Sequence, residues 1–174
     1  TSAEVETLMN QRYICQEPPA LIAEYRFDEL SYDEGSSDLF DTSGNSFNGQ
    51  SVGGVQSKAA QMCFGANLDG VNDHFSLPPI TNDFANGMSA MAWVDFGDAN
   101  SWERVFDFGN DTTNNIVLAR KNTSDHLEFQ IVGSDSGTVC SAVYANDAIQ
   151  PGLNHYAVTL STTDSEVVIY RNGT

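Results

Sequence analysis

Residues 68–79, LDGVNDHFSLPP, bring four oxygen-bearing side chains together among apolar neighbours: Asp69, Asn72, Asp73 and Ser76, with Gly70 between them. Three kinds of chemistry suit such a stretch. It can wrap a hard cation, form the polar rim of a ligand site, or make a tight turn that needs no ion. A second cluster, DFGNDTTNN, supplies Asp107, Asn110, Asp111, Asn114 and Asn115, and also reads as an Asn/Asp-rich hairpin loop. Neither has the D-x-[DN]-x-[DN]-G spacing with a closing glutamate that marks an EF-hand.

Covalent chemistry finds little footing. G-x-S-x-G, H-E-x-x-H and Walker patterns do not occur. His74, His126 and His155 are far apart in sequence, and the adjacent carboxylates Asp28–Glu29 and Asp33–Glu34 fall in loops or at strand ends, where solvation is the default. Recognition is better supplied. Trp93, Trp102, Tyr32, Tyr144 and Phe84 can stack on sugar rings, and the Asn-rich loops carry amides and carboxylates for hydrogen bonds. Trp93 stands in mid-strand and reads as core. Trp102, in DANSWERV, sits where a loop enters a strand and makes the better platform, with Asn110, Asp111 and Asn114 as polar partners.

The elements that must position these groups are strands. AEYRF sets Ala23, Tyr25 and Phe27 on one face. SAMAWVDF sets Ala90, Ala92, Val94 and Phe96 against Met91 and Trp93, and HLEFQIV sets Leu127, Phe129 and Ile131 against His126, Glu128 and Gln130. HYAVTLS and EVVIY repeat the pattern. Only residues 1–20 show helical spacing, at Val5, Leu8, Met9 and Arg12, before the prolines at 18 and 19; they read as a short helix or linker. Residues 21–174 therefore read as one all-β sandwich domain.

Composition narrows the partners. Against 24 Asp and Glu stand 7 Lys and Arg, a net charge of −17, which repels nucleic-acid phosphates and anionic membrane surfaces. The acidity serves solubility outside the cell, or part of it gathers Ca²⁺. No run of 18 apolar residues exists to span a bilayer. The N-terminus lacks the basic and apolar regions of a secretory leader, so a leader has been removed or the chain was cut from a longer protein. Cys15, Cys63 and Cys140 allow one disulfide and leave one thiol over.

Taken in order, the phrases LIAEYRFDE, DTSGNSFNGQ, CFGANLDGVNDHFSLP, FANGMSAMAWVDF, RVFDFGN, HLEFQI, GLNHYAVTLS and VVIYRNGT resemble the laminin G-like, concanavalin A-like jelly-roll domains of bacterial surface proteins. The version they are most similar to occurs in MshQ-like proteins of the mannose-sensitive haemagglutinin pilus cluster. Those proteins place cysteines where Cys15 and Cys63 stand, which implies that these two form the disulfide. The resemblance implies a secreted or surface-anchored, non-catalytic module that binds glycan or extracellular protein. It also implies a structural Ca²⁺ near the sheet edge, for which Asp41, Asn45, Asp69 and Asp73 are the ligands to expect, and a ligand rim near residues 107–115. Glycosidases of this fold carry Glu-x-Asp-x-x-Glu on one strand, a pattern missing here. Two departures stand out: His74 replaces the usual tyrosine after the Asp-Gly turn, and similar domains continue past YRNGT with closing strands. The alternatives are a module whose remaining strands come from another chain, or an accessory domain of a larger enzyme.

Overall fold

The computed structural model describes residues 21–174 apart from 36, 61–62, 81–83, 99, 111–113 and 134–138; the side chains of residues 110, 139–142 and 144 also lie outside the description. Every regular element among the described residues is a strand, and every strand pairing is antiparallel. The chain divides into two compact units, Thr1–Asn82 and Asp83–Thr174, and the division falls inside residues 21–174, which the sequence reads as one domain.

In the first unit, β1 (Gln50–Val52) pairs with β4 (His74–Ser76), and β2 (Gln56–Ala59) with β3 (Phe64–Asn67). AEYRF does not become a full strand. Tyr25 makes one bridge to Asp41, and Phe27 turns to a φ of 56°, which ends the extended path. Carboxylates do much of the ordering that strands would otherwise do. Buried Asp38 accepts hydrogen bonds from the amides of Asp33, Glu34 and Ser51 and from the Ser51 hydroxyl. Leu39 and Val55 are buried in the same unit, and Phe75 packs on Phe27 and Tyr32 at 5.3 and 5.1 Å between ring centroids.

The second unit holds two sheets. One is three-stranded, in the order β11 (Glu166–Arg171), β10 (Asn154–Ser161), β5 (Met88–Val94). The other is four-stranded, β6 (Arg104–Asn110), β7 (Asn114–Arg120), β8 (Leu127–Val132) and β9 (Val139–Ala145), a simple meander. Their inner faces share one core. Leu118, Leu127 and Phe129 from the four-stranded sheet meet Tyr156 and Val158 from the other, with Ala148 and Ile149 closing one end. Because side chains alternate along a strand, each inner set fixes an outer set. Met91, Trp93, His155, Ala157 and Tyr170 face outward from the three-stranded sheet, and Asp107, Asn115, Val117, Glu128 and Gln130 from the four-stranded one.

Arg120 stands on an inner face and is 1% exposed. Its guanidinium lies 5.2 Å from the centroid of the Phe96 ring, donates to Glu103 Oε2 at 2.6 Å, and reaches Asp125 Oδ1 at 3.2 Å and the Ser124 carbonyl at 3.0 Å. Phe96 in turn meets Tyr156 edge-on at 5.6 Å. The Arg120 amide donates to the Glu103 carbonyl, so side chain and backbone tie the same two residues.

Candidate functional site

The stretch from Asp69 to Asp73 is a hydrogen-bonded turn. Asp69 Oδ1 accepts from the amides of Val71, Asn72 and Asp73, and Asp73 Oδ2 accepts from the Asp69 amide at 2.9 Å. Those amide donors, the one from Val71 foremost, hold the Asp69 carboxyl below its ordinary pKa. The other expected calcium ligands are engaged in the same way. Asp41 Oδ1 accepts from the amides of Glu24 and Ser43, and Oδ2 from the Ser43 hydroxyl and the Phe47 amide. Asn45 spends its amide nitrogen on the carbonyls of Leu21 and Ile22.

As a set, Asp41, Asn45, Asp69 and Asp73 do not fit a calcium ion, which wants six to eight free oxygens converging on one point. Four donors already occupy Asp41, and among the described residues no three His, Cys, Asp or Glu side chains are grouped closely enough to hold a metal. Of these four side chains, only Asp73 has a buried oxygen without a hydrogen-bond partner among the described residues.

Partial burial works against the Asp41 charge, but its donors outweigh that cost and carry the carboxyl down from 3.8 to about 2. A depressed carboxylate pKa contributes stability that is present above the unfolded value and lost as pH falls through the folded one. The first unit should therefore loosen between about pH 4 and pH 2. Amide exchange at Ser43 and Phe47 measures it: protection should drop across that window in the wild type. In Asp41→Asn it should be low already at neutral pH and flat with acid.

The expected rim is only partly in view. Trp102 sits in the turn before β6 with a φ of 63° and is partly exposed, and its amide donates to the Asn122 carbonyl. Asn114 is exposed at the start of β7 and lies opposite Asn110 across the β6–β7 hairpin. Asp111 and the Asn110 side chain lie outside the described residues. So do Cys15 and the Cys140 side chain; Cys63 is exposed.

A polar arrangement that motif reading missed occupies the outer face of the four-stranded sheet. Arg104 pairs with Asp107 at 3.0 Å, and Asp107 Oδ1 accepts from Asn115 Nδ2 at 2.6 Å. One strand further, Gln130 Nε2 donates to Glu128 Oε1. Cross-strand register places Val117 between Asp107 and Gln130, and Ala119 between Arg104 and Glu128, so small apolar residues floor a polar ring. Glu128 is 2% exposed and Asn115 8%, yet Glu128 Oε2 and Asn115 Oδ1 have no hydrogen-bond partner among the described residues. Water cannot stand in at atoms this closed, so each forfeits about 1–3 kcal/mol of hydrogen bonding. The available signal was the alternation in HLEFQIV, which puts Glu128 and Gln130 on one side.

Residues 69–174, more than half of the chain, match the laminin G-type model described as the concanavalin A-like lectin/glucanases superfamily. No curated protein matches the chain. Among solved structures, the chain is similar to residues 221-444 of an S-layer domain-containing protein from Clostridium thermocellum, with a TM-score of 0.56 and 28% identity over 87% of this chain and 69% of that one.

Proposed function

Because this chain belongs to the concanavalin A-like lectin/glucanases superfamily, we propose that it is a non-catalytic, extracellular recognition module that binds carbohydrate or protein on the outer face of its four-stranded sheet. One observation carries the reading. Two closed acceptors, Glu128 Oε2 and Asn115 Oδ1, stand on one sheet face with no donor among the described residues. Sugar hydroxyls are donors, but both atoms are enclosed and Val117 and Ala119 beside them are buried, so a ligand would complete them only as the side chains that close this face swing aside. Trp102 and Asn114 lie at opposite ends of the same sheet, Trp102 before the start of β6 and Asn114 at the β6–β7 hairpin, so they do not form one rim.

Nothing on this face asks for bond cleavage. Asp107 is committed to Arg104 and Asn115, which among the described residues leaves Glu128 without a second carboxylate on this face free to act as its acid or base. A surface setting agrees with the S-layer domain-containing neighbour, and a pilus-associated adhesin of the MshQ-like kind is the parent that the order of sequence phrases suggests. Architecture is the second reading: among the described residues, β5 and β11 each have an edge of the three-stranded sheet without a partner, where strands from another chain could add.

A glycan array run in calcium and again in EDTA tests the proposal. Binding to one glycan class, equal in both buffers and without release of reducing sugar, is the expected result. Released sugar would overturn the non-catalytic part, and loss of binding in EDTA would restore a metal to the mechanism. An array blank in both buffers would remove carbohydrate as the ligand.

A further inference from the structure

The outer face of the three-stranded sheet differs in kind from the polar one. Trp93 and His155 form a cross-strand pair, and Met91, Ala157 and Tyr170 form the next row, one residue from each strand. Met91 is 67% exposed and Trp93 65%. The His155 ring meets the indole edge-on at 5.2 Å between centroids, which steadies the indole while leaving most of it open. Ala157 and Thr159 are the small residues along β10, so the central strand forms the floor of a shallow trough between Met91 and Trp93 on one side and Tyr170 on the other. From Ser89 to Trp93 and across to Tyr170, the outward positions include no Asp, Glu, Lys or Arg. In a chain with 24 acidic residues, an uncharged aromatic face of this size marks a contact surface.

Charge selects the occupant. A second copy would bring two net charges of −17 together, and acidic glycans or nucleic acids meet the same repulsion. A neutral sugar chain does not. It offers C–H faces to aromatic rings and hydroxyls to Thr159 and Tyr170. Trp93 and Tyr170 are two strands and one row apart, about 12 Å between backbones from ordinary strand spacing, a reach of roughly two pyranose rings. We infer that this face binds a neutral polysaccharide chain, crossing β10 diagonally and stacked on Trp93 and Tyr170. The inference rests on the reading of the domain as a recognition module but uses the opposite sheet.

Isothermal titration of the full chain with a mixed-linkage β-glucan, a xylan and a galactomannan tests it, using wild type, Trp93→Ala, Tyr170→Ala and Glu128→Gln. Trp93 and Tyr170 lie outside the core, so thermal midpoints of their variants should stay near wild type. Expected is saturable binding of at least one polysaccharide, weakened at least tenfold by Trp93→Ala and severalfold by Tyr170→Ala. Binding abolished by Glu128→Gln and indifferent to both aromatic variants would overturn this inference and leave the recognition reading standing. No binding in the titrations and none on the array would sink both. A dimer in sedimentation that Trp93→Ala dissolves would overturn it in favour of a second copy.

Discussion

Replacing Arg120 by alanine is expected to cost about 3–5 kcal/mol of stability, the range for removing one partner from a buried ion pair. Two losses combine. Glu103, whose side chain is 19% exposed, keeps its charge without its cation, and the face of Phe96 loses the guanidinium above it. Asp125 contributes little, because its side chain is 67% exposed and water replaces the contact. The variant that discriminates is the double replacement Arg120→Met with Glu103→Gln, which removes both charges and keeps an apolar stem over Phe96. It should recover most of the loss, and a double-mutant cycle in urea measures the coupling. If Arg120→Ala unfolds no more easily than wild type, the pair is not a strut of this sandwich.

Glu128→Gln should move stability and binding in opposite directions. The wild-type side chain keeps one carboxylate oxygen without a donor at 2% exposure. Removing the charge should raise stability by about 1–2 kcal/mol, since a neutral amide pays less for the same enclosure. The remaining carbonyl oxygen can still accept from Gln130. Affinity for whatever glycan the array identifies should drop at least tenfold, because the acceptor that its hydroxyl would use is gone. Such a trade is the signature of a group kept for function at the expense of stability. Denaturation midpoints and titration on the same preparations read both. A variant that is less stable than wild type would make Glu128 a structural element of β8 and take the proposed face down with it.

Strand alternation carried much of the fold. In HLEFQIV it assigned Leu127 and Phe129 to one side, and both are fully buried. The sequence of phrases from CFGANLDG to VVIYRNG carried the superfamily, which the match over residues 69–174 supports. Trp93 shows where alternation stops. SAMAWVDF has two apolar sides, and mid-strand position made core the natural expectation, yet the indole faces out. The inner side is chosen by register: Ala90 and Ala92 align with Val158 and Tyr156, the large residues that fill the core. Small residues on β5 leave room for large ones on β10, a compensation invisible in either strand alone. Arg120 and Glu103 are 17 residues apart with a hairpin between, and nothing local announces their pairing. Alternation places Glu128 on the side away from Leu127 and Phe129, and only the assembled sheet reveals how enclosed it is.

The carboxylates of the first unit have a further consequence for how that half of the molecule tolerates its surroundings. Asp38 and Asp41 act as acceptors for neighbouring amides and hydroxyls at 2.5–3.2 Å, and contacts that short are hardly screened by dissolved ions. A brine that would dissolve surface ion pairs should leave these loops standing, whereas acidification dismantles them. Tolerance of saline water and intolerance of strong acid are thus two sides of the same device.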